Sequence, residues 1–295
     1  MKNNRNYLFG IMLLFILYSC QSVQERELEK GKNAFEKGDY HTTIEYCKKV
    51  FKENNNHPEA CLLLGRAYLE VGGTFAINDA IYYIEKSIKI NPSNSEAYVF
   101  LGDAFNQQLS SSLSHSEVVE ALTSEIMPVS DKAIENYQKA INIDSNNALP
   151  YYRMGHLYGF SKKDFDQGIE WYKKGLAKND NYTRIYFNLG MLYTKNADID
   201  NAINSYKESI NKEPYLLDSY LELSKVLLTK NLSNEAINYL NILLDKDPNY
   251  KEVNYYLGLA NQNINKNKSL EYFKTAARLG DSDAKEYLNE KKIKW

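Results

Sequence analysis

The sequence predicts an all-α protein: a stack of about seven helix-turn-helix units ending in a capping helix. Two series of small residues and a set of prolines predict it. The first series is Gly31, Gly65, Gly102, Gly155, Gly190, Ser224 and Gly258, at spacings of 34, 37, 53, 35, 34 and 34. A period near 34 marks stacked supersecondary units. The second is Thr43, Ala80, Ala133, Gly168, Ala202, Ala236 and Ser269, about 12 residues further on except where inserted residues lengthen the interval to 15 before Ala80 and 31 before Ala133. Four residues after each comes a larger one: Cys47, Ile84, Tyr137, Tyr172, Tyr206, Leu240 and Phe273. Residues four apart share a helical face, so small and large positions alternate where two helices pack closely. Pro92, Pro214 and Pro248 close units, because proline cannot continue a helix. Composition agrees. Apolar residues make up 43% and charged residues 25% of 295, enough to build a core, and only 14 Gly and 6 Pro argue against a turn-rich all-β chain.

The clearest unit reads Tyr186, Leu189, Gly190 and Tyr193 on its first helix, then Ala202, Tyr206, Ser209 and Pro214. This resembles the tetratricopeptide repeat, whose helix A carries an aromatic, Leu, Gly and Tyr and whose helix B carries Ala, an aromatic and Ala before a closing Pro. The resemblance spans residues 24–283 and implies a right-handed α-solenoid with helices A along its concave surface. The units are 24–57, 58–94, 95–147, 148–182, 183–216, 217–250 and 251–283. None has enough core alone, and stacking buries a continuous one. The first is atypical, with Glu27 and Lys30 where an aromatic and Leu are expected, and its helix A reads as a polar cap. Three residues enter the second unit near Gly72 and Gly73, and nineteen enter the third within 106–130. The longer insertion holds an amphipathic stretch, Glu117 to Ile126, and is a candidate docking element or a neutral excursion. Residues 282–295 close the stack, with Ala284, Tyr287 and Leu288 inward and Lys285, Glu286, Glu290 and Lys291 in water.

The N-terminus reads as an address. Lys2 and Arg5 precede an apolar run from Tyr7 to Tyr18. At about 1.5 Å per residue this run is too short to span a bilayer, so a signal segment fits better. Leu17-Tyr18-Ser19-Cys20 resembles the lipobox of bacterial lipoproteins. The resemblance implies a signal peptide at 1–19, acylation of Cys20, a lipidated tether at 20–26 and an exported, envelope-located protein. Gln21 in place of Asp points to the outer membrane, facing the periplasm. The plainer alternative is an ordinary signal peptide with an incidental Cys.

No constellation for chemistry stands out. The net charge of −2 gives no basic footprint for nucleic acid. Four His and three Cys, scattered, suggest no metal site, and no phosphate loop or other cofactor motif occurs, so no cofactor is expected. Ser209 and Lys212 have the spacing of a nucleophile pair, but Ser209 sits at a packed position and reads as core. Cys47 and Cys61 lie on helices that pack together. They are either a disulfide or two buried thiols.

Function is therefore sought in the groove. The resemblance places the fifth and ninth residues of each unit on the concave side. The fifth are Leu28, Leu62, Val99, Tyr152, Phe187, Leu221 and Tyr255, all apolar; the ninth include Lys32, Arg66, Asp103, His156, Met191 and Lys225. Tyr152 and Phe187 are the expected central anchors, and core packing is the competing role for the whole ladder. The family's clamp for a C-terminal carboxylate needs Lys at a fifth position and Asn at a ninth, and neither is present. The expected function is a membrane-tethered, non-enzymatic scaffold for envelope assembly that binds a peptide or partner helix. A structural homo-oligomer is the alternative. An enzyme built on His115, Glu117, Glu120 and Glu125 is the least supported.

Overall fold

The computed structural model describes residues 23–114, 123–179 and 182–295. Residues 1–19 and Cys20 lie outside them, as does the middle of the third unit's insertion.

The described residues form helices and no strands. Helix α1 spans 23–36. It is followed by α2 (Tyr40–Glu53), α3 (Pro58–Val71), α4 (Thr74–Ile90), α5 (Ser95–Ser114), α6 (Thr123–Ile143) and α7 (Ala148–His156). A π-helical turn, Leu157–Ser161, extends α7. Then come α8 (Phe165–Leu176), α9 (Arg184–Lys195), α10 (Ile199–Lys212), α11 (Leu217–Thr229), α12 (Ser233–Lys246), α13 (Lys251–Asn261), α14 (Lys266–Arg278) and α15 (Ser282–Glu290). Odd-numbered helices from α1 to α13 are the helices A, even-numbered ones are the helices B, and α15 is the cap. The chain divides into two compact units, Met1–Arg153 and Met154–Trp295.

The glycine series explains why each hairpin closes tightly. A Cβ on Gly102 would lie 2.5 Å from the Tyr137 ring, one on Gly155 2.5 Å from Tyr172, and one on Gly190 2.5 Å from Tyr206. Gly65 meets Ile84 and Gly258 meets Phe273 in the same way. The large residue of helix B thus occupies the space that helix A leaves empty. Tyr137, Tyr172, Tyr206 and Phe273 are fully buried there, each worth about 1.5–3 kcal/mol of apolar burial. Where the small residue of helix B carries a hydroxyl, it bonds back across the hairpin: Thr43 donates to the Gly31 carbonyl at 3.2 Å and Ser269 to the Gly258 carbonyl at 2.7 Å. The fourth unit adds a second close approach, because a Cβ on Gly168 would lie 2.8 Å from the Gly159 Cα in the π-turn.

Several of the turns share one device. A residue in the left-handed region precedes the N-cap of the next helix: Gly38, Lys163, Ala197, Asn231 and Gly280. Asp39, Asp164, Asp198 and Asp281 then accept a hydrogen bond from the first turn. Such caps are worth about 1 kcal/mol each. Cys47 and Cys61 are free, buried thiols, so the candidate bridge is not formed. Burial pushes Cys47 up to about 12 and Cys61 up to about 11, which keeps both protonated and inert. Ser209 is fully buried and shares a 2.8 Å hydrogen bond with Ser219, a core pair.

Candidate functional site

In the first compact unit, the ninth-position residues are tied to the next helix A. Lys32 Nζ lies 2.6 Å from Glu59, and Arg66 Nη1 lies 3.2 Å from Glu96. Asp103 is held twice, by the Tyr137 hydroxyl at 2.8 Å and by Arg153 Nη2 at 2.9 Å. Burial pushes the Asp103 carboxyl up, and the attraction of Arg153 and the Tyr137 hydrogen bond pull against it. Tyr137 is held well above its ordinary range by burial and by the Asp103 charge. The Arg66 guanidinium is sandwiched between rings, 4.8 Å from the centre of Phe35 and 4.5 Å from that of Phe100. That contact fixes a flexible side chain as a wall. Beside it lies a cavity of about 260 Å³ whose apolar lining is Phe35, Leu62 and Leu63.

The fifth positions of this unit are not an open ladder. Leu28, Leu62, Val99 and Tyr152 are buried, since helix-to-helix packing covers them. Leu62 still reaches the cavity; Tyr152, expected to be an anchor, is a core residue at 9% exposure.

The second unit presents a different surface. His156 and Phe160 are in ring contact at 5.0 Å. Phe187 is half-buried, with its ring 5.9 Å from that of Tyr206, and Met191 one turn further along α9 is also partly exposed. Helix α9 bears Arg184 and Lys195 and no carboxylate. Leu221 is buried. Lys225 sits between Glu222 and Glu252, 2.8 Å from each, and 5.3 Å above the Tyr256 ring. Burial disfavours its charge, but the hydrogen bonds it donates to both carboxylates outweigh that and hold its pKa well above the ordinary lysine range. Tyr255 is half-buried, its ring 5.8 Å from that of Phe273, and it packs against the cluster that Phe273 forms with Ala284 and Leu288 of the capping helix.

Among the described residues no group of three or more His, Cys, Asp or Glu could hold a metal ion. No described helix is long and apolar enough to cross a membrane. The inter-unit spacing of 27 to 30 residues between Lys32 and Glu59, Arg66 and Glu96, and Lys225 and Glu252 is a signal that sequence reading missed. Each pair joins the ninth residue of one unit to the second of the next, so opposite charges at that interval would have found it.

The paired helices and the steric code within each pair define a helical-repeat protein. It contains tetratricopeptide and Sel1 repeats. Tetratricopeptide-repeat models match residues 131–159 and 183–214, and the Sel1 repeat model matches 58–90, 151–180 and 253–281. Proteins of tetratricopeptide repeats bind protein or peptide partners. Among curated relatives, the uncharacterized protein ycf37 of Cyanophora paradoxa is 31% identical over 38% of this chain, which spans 63% of its length. The C-terminal part of a TPR repeat-containing protein from Cytophaga hutchinsonii superposes with a TM-score of 0.65 at 18% identity, covering 88% of this chain and 98% of that one. YrrB, described as a TPR protein with an unusual peptide-binding site, gives 0.56 at 20% identity, covering 71% and 98%. At these identities the superpositions show the fold.

Proposed function

We propose that the chain is a lipid-tethered interaction scaffold of a bacterial cell envelope, joined to the outer membrane through acylated Cys20 and binding a peptide or partner helix along its helices A. The observation that carries the binding reading is α9. Its groove side presents Phe187 and Met191, apolar and partly exposed, on a helix with no carboxylate. A protein surface that keeps large apolar groups accessible in a concave setting suits a partner's side chains. The peptide-binding site described for YrrB is a precedent on the same fold. The tether rests on the Leu17-Tyr18-Ser19-Cys20 sequence.

Brief crosslinking in the native cell tests both parts. The parent is compared with Phe187→Asp and Met191→Asp, each first checked for helicity by circular dichroism. Loss of one specific partner in both folded variants supports the α9 surface; unchanged capture overturns it. Capture of the chain by itself would replace a foreign partner with the homo-oligomer. For the tether, Cys20→Ser should move the protein from the membrane to the soluble fraction, and retention in the membrane would sink the lipid anchor.

A further inference from the structure

The cavity between α1, α3 and α5 has a charge that its own ion pairs do not balance. Its rim holds Glu36, Glu59 and Glu96 against Lys32 and Arg66. Lys32 is taken by Glu59 and Arg66 by Glu96, while Glu36 is exposed and carries no ion pair among the described residues. On α3 and α5 the remaining acidic residues are Asp103, which is paired with Arg153, and Glu70, so the rim's own uncompensated charge is that of Glu36. The paired carboxylates also remain accessible, with the Glu59 side chain 55% and the Glu96 side chain 50% exposed. Below this acidic rim the lining is apolar, and the ring-clamped Arg66 forms a wall that does not have to be ordered on binding.

We infer that this cavity takes a segment of a partner protein in which an apolar side chain stands next to Lys or Arg. The apolar group fills the space over Phe35, Leu62 and Leu63, and the cation reaches Glu36, with Glu59 and Glu96 close enough to share it. Complementary charge of this kind sets which partner is admitted and speeds its arrival more than it deepens the complex. An acidic segment meets repulsion at the rim. A purely apolar one leaves Glu36 without its counter-charge. The inference rests on the scaffold reading and adds to it the chemistry of the partner and a second binding surface, separate from α9.

The test uses the full chain and a short fluorescent peptide of alternating Leu and Lys carrying a photo-reactive Leu. Saturable binding that weakens with salt is expected, with crosslinks in α1 and α3. A peptide with Glu in place of Lys should bind at least about tenfold more weakly, and Glu36→Lys should weaken the Leu–Lys peptide by a similar factor. Glu36 is exposed, so circular dichroism of this variant should match the parent. A control reversal at Lys291, the C-cap of α15 in the second unit, should change nothing. Equal binding of the Glu peptide, an unchanged affinity in Glu36→Lys, crosslinks elsewhere, or no binding at all overturns the inference. The cellular capture in Phe187→Asp reads the scaffold function independently. A partner lost there but kept in Glu36→Lys would leave the scaffold standing and remove this cavity from it.

Discussion

The two compact units share a packing rule and differ on the surface that the helices A present. In the first, Lys32, Arg66 and Asp103 are all drawn into contacts with the next helix A. In the second, the corresponding positions begin with His156 against Phe160 and Met191 on α9, and Lys225 repeats the ion-paired arrangement. Beneath both surfaces a small residue of helix A faces a larger buried residue of helix B. The hairpin interior is governed by sterics and tolerates little variation; the groove side is governed by charge and accessibility and varies from unit to unit. Selection for a partner can act on the second without disturbing the first.

The largest effects should come from breaking the shared rule in both units. Gly102→Ala and Gly190→Ala each place a Cβ 2.5 Å from a buried tyrosine ring, Tyr137 in one unit and Tyr206 in the other. Each should lose about 1–3 kcal/mol in urea unfolding. Similar losses confirm that the units share one packing code, and a tolerant site in one of them would break the comparison. The sixth repeat shows a way to rescue the change, since it uses Ser224 and Leu240, both fully buried, where the fifth uses Gly190 and Tyr206. Combining Gly190→Ser with Tyr206→Leu should therefore cost less than the sum of the single changes, a coupling that a double-mutant cycle reads directly.

That rule was the legible part of the fold. The series from Gly31 to Gly258 and from Thr43 to Ser269 carry a steric requirement, and steric requirements restrict residue type. The groove was less legible. Leu62, Val99 and Leu221 are as apolar as Phe187, and composition does not say which of them a neighbouring helix covers. Tyr152 shows the same limit, because an aromatic at a groove position and an aromatic in the core look alike in sequence. The π-turn at Leu157–Ser161 had a faint signal in Gly155 and Gly159, four apart, facing Tyr172 and Leu192. The left-handed residues Lys163 and Ala197 had none, since the turn forces a conformation that these residue types do not favour.

Titration should separate the units next. Burial raises Asp103 above the ordinary aspartate value, so the folded protein holds that proton more tightly than the unfolded chain. The resulting stabilisation is complete below the unfolded value and is lost as pH rises through the folded one. Relative to Asp103→Asn, the parent should gain stability as pH falls from neutral toward the ordinary carboxylate range. Lys225 works at the other end. Its pKa is raised, so its contribution is complete below the ordinary lysine value and is lost only as pH rises through the folded one. Lys225→Met should narrow its deficit relative to the parent only in strong alkali. Urea midpoints across pH for the two variants check both signs, and a parent that loses ground to Asp103→Asn on acidification would refute the first. Removing the more exposed pairs should matter less: Lys32→Met is expected to cost no more than about 1 kcal/mol, because surface ion pairs contribute little.

The smallest effect concerns the turns. The first unit uses Gly38 at φ +74° before its N-cap, whereas the second uses Lys163 at +56°, Ala197 at +57° and Asn231 at +58°. A Cβ in this region crowds the following carbonyl, at about 1–2 kcal/mol for most residues and less for Asn, whose short polar side chain tolerates it. Glycine removes that strain but leaves a freer unfolded chain, which returns part of the gain. Ala197→Gly should therefore stabilise the protein by about 0.5–1 kcal/mol, Asn231→Gly by less, and Gly38→Ala should destabilise it. Thermal unfolding of the three variants orders them. An Ala197→Gly protein that melts below the parent would mean that the turn's strain is already relieved by its surroundings, and that the two units differ in their turns as well as in their grooves.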